Sequence, residues 1–321
     1  MVLRIFITTC FSRKSSRGGD MSAHKVITLS LVSSLLFAGL CYYSVFLHPL
    51  NGWQIAGWRA VTTVLLLILT LAFRKKLGSF WHYLMSVIKS TRLLIATLAC
   101  AALLGLQIII FCWAPVNGQS RPLALGYFLL PLVMVLTGRA LYGETMSGWQ
   151  KIAVLLAACG VAAEIMMVRS LPLVALVVML GYPPYFIIKR QLQNNAFFSV
   201  IAENLLLVMP AIVLLIYQGS GKEWLPAGPV GGWVTLAGLG LLSGSALLCF
   251  LLASSSLSFT VFGMLSYVEP LLLFLVSLFL PGEKLTLASL LTYIPIWLAV
   301  LALMADGYKK VKASAHYSRK Q

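Results

Sequence analysis

Charge is what this 321-residue sequence has least of: Asp, Glu, Lys and Arg make up 10% of it, against 60% hydrophobic residues. A water-facing globular surface needs roughly a quarter charged residues, so a soluble domain is excluded. The alternation over ~10 residues that marks a closed β-barrel is also missing. Acidic side chains number eight, and no Asp falls inside an apolar run. Paired-aspartate proteolysis and metal-dependent prenyl transfer therefore have no residues to work with. His24, His48, His82 and His316 all lie outside the apolar runs. No intramembrane histidine is available to bind a metal or to activate a serine, even in the run Ser254-Ser255-Ser256. The six cysteines show no CxxC or other ligand spacing, and Cys100, Cys112, Cys159 and Cys249 inside apolar runs read as packing residues. No cofactor, metal or enzymatic activity is expected.

Apolar runs, by contrast, recur from end to end, each near the ~20 residues a helix needs to cross the hydrocarbon core. They predict an all-α polytopic membrane protein with ten transmembrane helices, at 27–47, 54–73, 93–113, 123–142, 150–168, 171–188, 198–217, 233–253, 260–280 and 286–305. The sixth contains Gly181-Tyr182-Pro183-Pro184-Tyr185, whose two prolines remove two backbone donors and should bend or break it. The net charge of +16 does not signal nucleic acid, because the basic residues sit in short segments between runs. Nineteen of the 24 Lys and Arg fall on one side: in the N-terminal segment, in the 74–92 loop, at Arg139 and Lys151, at Lys189-Arg190, and in the tail. Only Arg121, Arg169, Lys222 and Lys284 fall on the other, and Arg59 lies within a span. The positive-inside rule then places both termini of this multi-pass protein in the cytoplasm, and an inner (cell) membrane is its expected location. Trp53, Trp58, Trp113, Trp149 and Trp233 sit near span ends, as interfacial anchors do. Residues 1–25 form a cytoplasmic segment outside the fold, with Met21 as an alternative start, and 307–321 form a basic cytoplasmic tail.

Two short stretches repeat. Phe128-Leu129-Leu130-Pro131 is followed, twelve residues after its proline, by Gly143-Glu144; Tyr267-Val268-Glu269-Pro270 is followed at the same distance by Gly282-Glu283. They fall on the fourth and ninth spans, the same place in two halves, 26–168 and 169–306. Five spans per half is an odd number, so the halves insert with opposite orientation, a plan characteristic of secondary transporters. Each Gly-Glu pair also has a local explanation: Gly ends one helix in the left-handed conformation, and Glu suits the positive start of the next.

Glu269 is the exceptional carboxylate. Nine residues into the ninth span, it lies ~13 Å deep at about 1.5 Å rise per residue. Holding it ionised there costs roughly 2.5–3.5 kcal/mol unless it is paired, hydrated or protonated. Arg59 and Glu203, each five residues into the second and seventh spans, correspond under the repeat. They read either as snorkelling side chains or as functional or paired charges; Arg139 and Glu164, nearer span ends, read as snorkelling. Tyr127, Phe128, Tyr185 and Tyr267 are candidates for an aromatic wall around a solute, with Gln107 and Trp113 on the third span as weaker ones.

Several of these segments resemble one family. Leu125-Gly126-Tyr127-Phe128-x-x-Pro131-Leu132-Val133 with Gly143-Glu144 looks like the fourth span of the RarD group of EamA-type transporters, in the drug/metabolite transporter superfamily. Trp58-Arg59, Trp113-Ala114, Tyr185 through Lys189-Arg190, Tyr267-x-x-Pro270 and Gly282-Glu283-Lys284 are similar too, in the right order, so the resemblance covers about 26–310. Departures sit at Phe37-Ala38-Gly39, Gln107-Ile108, Leu130, Met134 and Glu269. They alter cavity polarity, so fold carries over and substrate does not. The resemblance implies export of a small-molecule solute driven by a proton or exchange gradient.

The expected function is therefore secondary transport by alternating access, with membrane lipids around it, protons as a coupling ion and no nucleic-acid partner. Gly238-x-Gly240 and Gly244 permit close helix contacts, within the chain or in a homodimer. The alternatives are a lipid scramblase or flippase, a membrane assembly subunit or, further off, an intramembrane enzyme.

Overall fold

The computed structural model describes residues 23–143, 145–168, 172–192, 195–219, 229–256, 265, 267–280 and 287–318, which are helical and contain no strand. The helices are α1 (Ala23–Val45), α2 (Gly52–Phe73), α3 (Leu77–Lys89), α4 (Thr91–Val116), α5 (Ser120–Tyr142), α6 (Gly148–Val168), α7 (Leu173–Leu192), α8 (Ala196–Gly219), α9 (Pro229–Ser256), α10 (Val268–Ser277) and α11 (Leu287–Ser318). Seven of them, α1, α2, α4, α5, α7, α8 and α9, are long and apolar enough to cross a membrane; α6, α10 and α11 contribute shorter apolar stretches. The chain is a polytopic membrane protein.

Local chemistry sets the helix ends. Asn51 starts α2 with a reciprocal box: its side chain accepts from the Gln54 N–H at 2.9 Å, and the Gln54 carbonyl oxygen accepts from the Asn51 N–H at 2.9 Å. Ser147 and Gln150 repeat that box before α6. Gly143 ends α5 with φ +65°, a left-handed residue, as the Gly-Glu motif predicts. Glu144, Gly282 and Glu283 lie outside the described residues, as does the Glu164 side chain.

Two sequence expectations need correction. The 74–92 segment is not a plain loop: it carries α3, a 13-residue helix. The sixth span does not break, because α7 runs unbroken through Pro183 and Pro184. A span buried among other helices tolerates proline because neighbours can satisfy the freed backbone. The apolar stretch of the last helix ends at Asp306, beside the span end expected at 305, and the helix itself runs on to Ser318. The predicted ninth span is helical over Val268–Ser277, its first residues falling partly outside the described set.

The bundle is built from α6 on α11, α1 on α9, α2 on α8, α5 on α7 and α10, and α4 on α7. Asn51 at the start of α2 bonds Gln218 at the end of α8 at 3.3 Å, so these two run antiparallel. The Lys309 ammonium sits 4.6 Å over the Trp149 ring, pairing the start of α6 with the far part of α11. Tyr43 near the end of α1 donates to the Thr235 carbonyl near the start of α9 at 3.0 Å. The small residues of α9 are used within the chain, with Gly240 against Thr62 and Gly244 against Leu66.

At the α6–α11 contact, a Cβ placed on Gly160 falls 2.8 Å from the Thr292 carbonyl oxygen, which is fixed backbone. Gly160→Leu is therefore expected to lower the melting temperature of the detergent-solubilised protein by several degrees. Gly148→Ala, where a Cβ meets nothing within 4 Å, should leave it unchanged. Equal stability of the two variants would mean this helix pair is not close-packed.

Candidate functional site

Charged side chains carried by apolar spans must find partners or water, and tracing those partners locates two polar centres. The first surrounds Arg59 on α2. Its Nε donates to Ser243 Oγ on α9 at 3.0 Å, and Ser243 also accepts from Thr63 Oγ1 at 2.8 Å. Its Nη1 reaches Cys112 Sγ on α4 at 3.7 Å, and its guanidinium lies 4.9 Å over the Phe111 ring. Arg59 is 8% exposed and turned inward, so it does not snorkel. Two of its five N–H donors thus have acceptors among the described residues, leaving donor capacity for another group.

Glu269 belongs to this centre. It sits in the first turn of α10, where the aligned N–H groups favour a negative charge. Its carboxyl interacts electrostatically with Arg59, Tyr127 and Tyr182. Among the described residues no donor or cation touches it directly, and it keeps accessible surface while surrounded by protein. Across the same space the Tyr127 and Tyr182 hydroxyls meet at 3.2 Å.

The second centre lies between α7 and α8. Glu203 is fully buried and triply held: Lys189 Nζ donates to Oε1 at 2.5 Å, Ser199 Oγ to Oε1 at 2.8 Å, and Tyr185 Oη to Oε2 at 3.0 Å. Lys189 also donates to Ser199 Oγ and caps the Tyr185 ring at 5.5 Å. Snorkelling is overturned here too, because the carboxylate turns inward to a neighbouring helix. A run of ring contacts at 5.4–6.1 Å, Phe111–Tyr127–Tyr182–Phe186–Tyr185, joins the two centres.

The other predicted residues take distinct places. The Gln107 amide nitrogen donates to the Val177 carbonyl at 2.9 Å, on the stretch of α7 leading into the prolines, while its Oε1 is buried without a donor among the described residues. Trp113 lies near the end of α4, its backbone against Gly52. Phe128 and Tyr267, 1% and 7% exposed, pack in the main hydrophobic core. Sequence reading missed Ser243, Cys112, Phe111 and Tyr182, and Lys189 as the partner of Glu203. Tyr182 adjoins the double proline and was visible. A serine among the glycines of α9 gives no such signal, because only the fold brings it to Arg59.

The Lys189–Glu203 pair makes its own test. Removing one partner of a buried pair strands the other charge at about 3–5 kcal/mol, reduced here because Lys189 is 18% exposed. Lys189→Met is expected to cut thermal stability clearly, and Lys189→Met with Glu203→Gln to recover much of the loss. A double variant no more stable than the single one would mean that the two charges are not coupled.

No protein-family model matches the chain. A Pseudomonas aeruginosa protein named chloramphenicol-sensitive protein RarD is 39% identical over 292 residues, covering 90% of this chain and 96% of its own. An uncharacterized transporter of Haemophilus influenzae is 36% identical, covering 89% and 95%. Protein RarD of Escherichia coli is 29% identical over 71% of this chain and 77% of its own. A crystallised protein with 15% identity superposes with a TM-score of 0.55 over 88% of this chain and 99% of its own, which is a likeness of fold. With identity of this order along nearly the whole of both chains, this protein belongs to the RarD-type transporter family.

Proposed function

We propose that this transporter exports a small metabolite or drug-like solute across the bacterial inner membrane by alternating access, with both termini cytoplasmic. In this reading the seven long and three shorter apolar helices make ten spans in two inverted five-helix halves. The packing supports it. Numbering the spans one to ten without α3, exchange of the halves carries the contact of the first with the eighth onto that of the sixth with the third. The fourth on the sixth becomes the ninth on the first, and the second on the eighth becomes the seventh on the third. Two corresponding pairs, α2 with α8 and α6 with α11, run antiparallel, as inversion requires.

The observation that carries the functional reading is the incomplete pairing of Arg59 and Glu269. They come from different halves, interact electrostatically, and among the described residues have no direct partner that satisfies them fully. A solute with an anionic or strongly accepting group fits the spare donors of Arg59. Glu269 exchanges a proton or meets a cationic group. Tyr127 and Tyr182 add hydroxyls and ring faces. Gln107 lends its unpaired Oε1 as a neighbouring acceptor, and Tyr185, Phe128, Tyr267 and Trp113 support the wall from the second centre, the core and the outer rim.

The test is untargeted mass spectrometry of medium and cytosol from cells expressing wild type, Glu269→Gln or Arg59→Ala at matched levels, with chloramphenicol included because a relative's name points to it. Wild type is expected to move a few solutes outward, and each variant to reduce that flux by about tenfold or more, the weight of one charge-assisted contact. Full flux in both variants would overturn the site. A changed lipid profile with no solute moved would replace the transporter by a scramblase.

A further inference from the structure

The α2–α3 junction carries a feature that solute transport does not use. Arg74, Lys75 and Lys76 are consecutive and exposed at the end of α2. They are fixed by backbone bonds: Lys76 N–H to the Leu71 carbonyl at 3.0 Å, and Lys75 N–H to the Ala72 carbonyl at 3.0 Å. This is the six-to-one closure that ends a helix on a left-handed residue, a place where glycine is the usual choice. Here the residue is Lys75, with φ +53°. A non-glycine residue there costs roughly 1–2 kcal/mol, so the side chain itself is what the position retains.

The helix that follows has three faces. Ser79, His82, Ser86 and Lys89 recur at helical spacing on a polar, exposed face. Phe80 and Val87 are buried, Phe80 in a core cluster with Leu67, Leu71 and Ile201. Leu77, Trp81 and Ile88 form an apolar stripe that is 44%, 61% and 58% exposed. Such a helix lies along a membrane interface with its tryptophan at headgroup level. Between it and the spans runs a groove of about 470 Å³, floored by Ile68, Phe80, Leu84 and Leu205 and edged by Leu77 and Trp81. Its lining is wholly apolar, and Lys75 and Lys76 directly precede Leu77 at its edge.

We propose that this groove retains one anionic phospholipid, an acyl chain in the groove and its phosphate on the Arg74-Lys75-Lys76 turn. Charge complementarity selects the occupant. An apolar trough alone accepts any acyl chain, whereas three exposed cations on the turn that leads directly into its edge residue Leu77 favour a net-negative headgroup over a zwitterionic one. The strained lysine is the independent sign that the charge, not the turn, is what the site keeps.

The test is native mass spectrometry of the full-length protein, delipidated in detergent and titrated with dioleoyl phosphatidylglycerol or dioleoyl phosphatidylcholine. Wild type is expected to retain phosphatidylglycerol in preference. Lys75→Gly should weaken that retention about fivefold, the weight of one basic residue near an anionic surface, and at the same time raise the melting temperature by relieving the backbone. Lys75→Gln with Lys76→Gln should weaken it further, and Lys151→Gln, an exposed cation elsewhere, should leave it unchanged. Equal retention of the two lipids by wild type, undiminished phosphatidylglycerol binding by Lys75→Gly, or an equal loss in Lys151→Gln would each overturn the proposal.

Discussion

Hydrocarbon offers no hydrogen-bond partner, so every polar group carried into it must be satisfied from within the protein. That constraint explains most of what the bundle does with its few polar residues. Hydroxyls in the spans bond back to their own helix: Ser44 to the Leu40 carbonyl at 2.8 Å, Thr70 to Leu66 at 2.8 Å, Thr97 to Leu93 at 2.7 Å and Thr137 to Val133 at 2.8 Å. Such side chains close on themselves and leave the helix surface apolar. Tyr43 and Tyr293 instead spend their hydroxyls on carbonyls of neighbouring helices. Those bonds are directional, and they add register to contacts that small residues alone would leave free to slide.

Under the same constraint the two charged centres have opposite characters. Glu203 accepts from an ammonium and two hydroxyls, and its exposure is nil. Inserting any solute there would first have to break a satisfied ion pair, which is the expensive step for a buried charge. Arg59 is held firmly enough by Ser243, Cys112 and Phe111 to be oriented, yet the described residues do not exhaust its donors. Orientation with spare capacity is what a binding residue needs, because the helix supplies the positioning and the ligand completes the bonds. Glu203 thus reads as the fastening between α7 and α8, whereas Arg59 and Glu269 are the charges that the described residues leave less fully bonded.

The sequence made the apolar runs legible because a bilayer leaves so little choice: length and hydropathy located every long span to within a few residues. The helix α3 escaped because, at 13 residues, it is too short to register as a span and lies between clustered basic residues, where a loop is the default. Proline misled at Pro183-Pro184, since the steric rule for helices in water takes no account of a span held in place by neighbouring helices, as α7 is by α4 and α5. Arg59, Glu203 and Glu269 stood out as charges in apolar context, which is a one-dimensional signal. Whether each was paired was not legible, because pairing joins residues far apart in sequence, such as Arg59 with Ser243, or on successive helices, such as Lys189 with Glu203.

The ring contacts between Phe111 and Tyr185 give these centres a physical relation. Each end of the run is capped by a cation, Arg59 over Phe111 and Lys189 over Tyr185. A cation over a ring face is attracted by the quadrupole of the ring, and the contact strengthens when water is excluded. A shift of α7 relative to α5 must move Tyr182 against Tyr127, breaking the 3.2 Å hydroxyl contact beside Glu269. Because Tyr185 lies one turn along the same helix, that shift also bears on the hydrogen bond holding Glu203. Rings in contact fill the space between the two centres, so neither can be repacked without displacing the other's neighbours. The Lys189–Glu203 pair thus fastens one end of α7, while the Arg59 centre borders its middle through Tyr182, and one continuous run of rings lies between them.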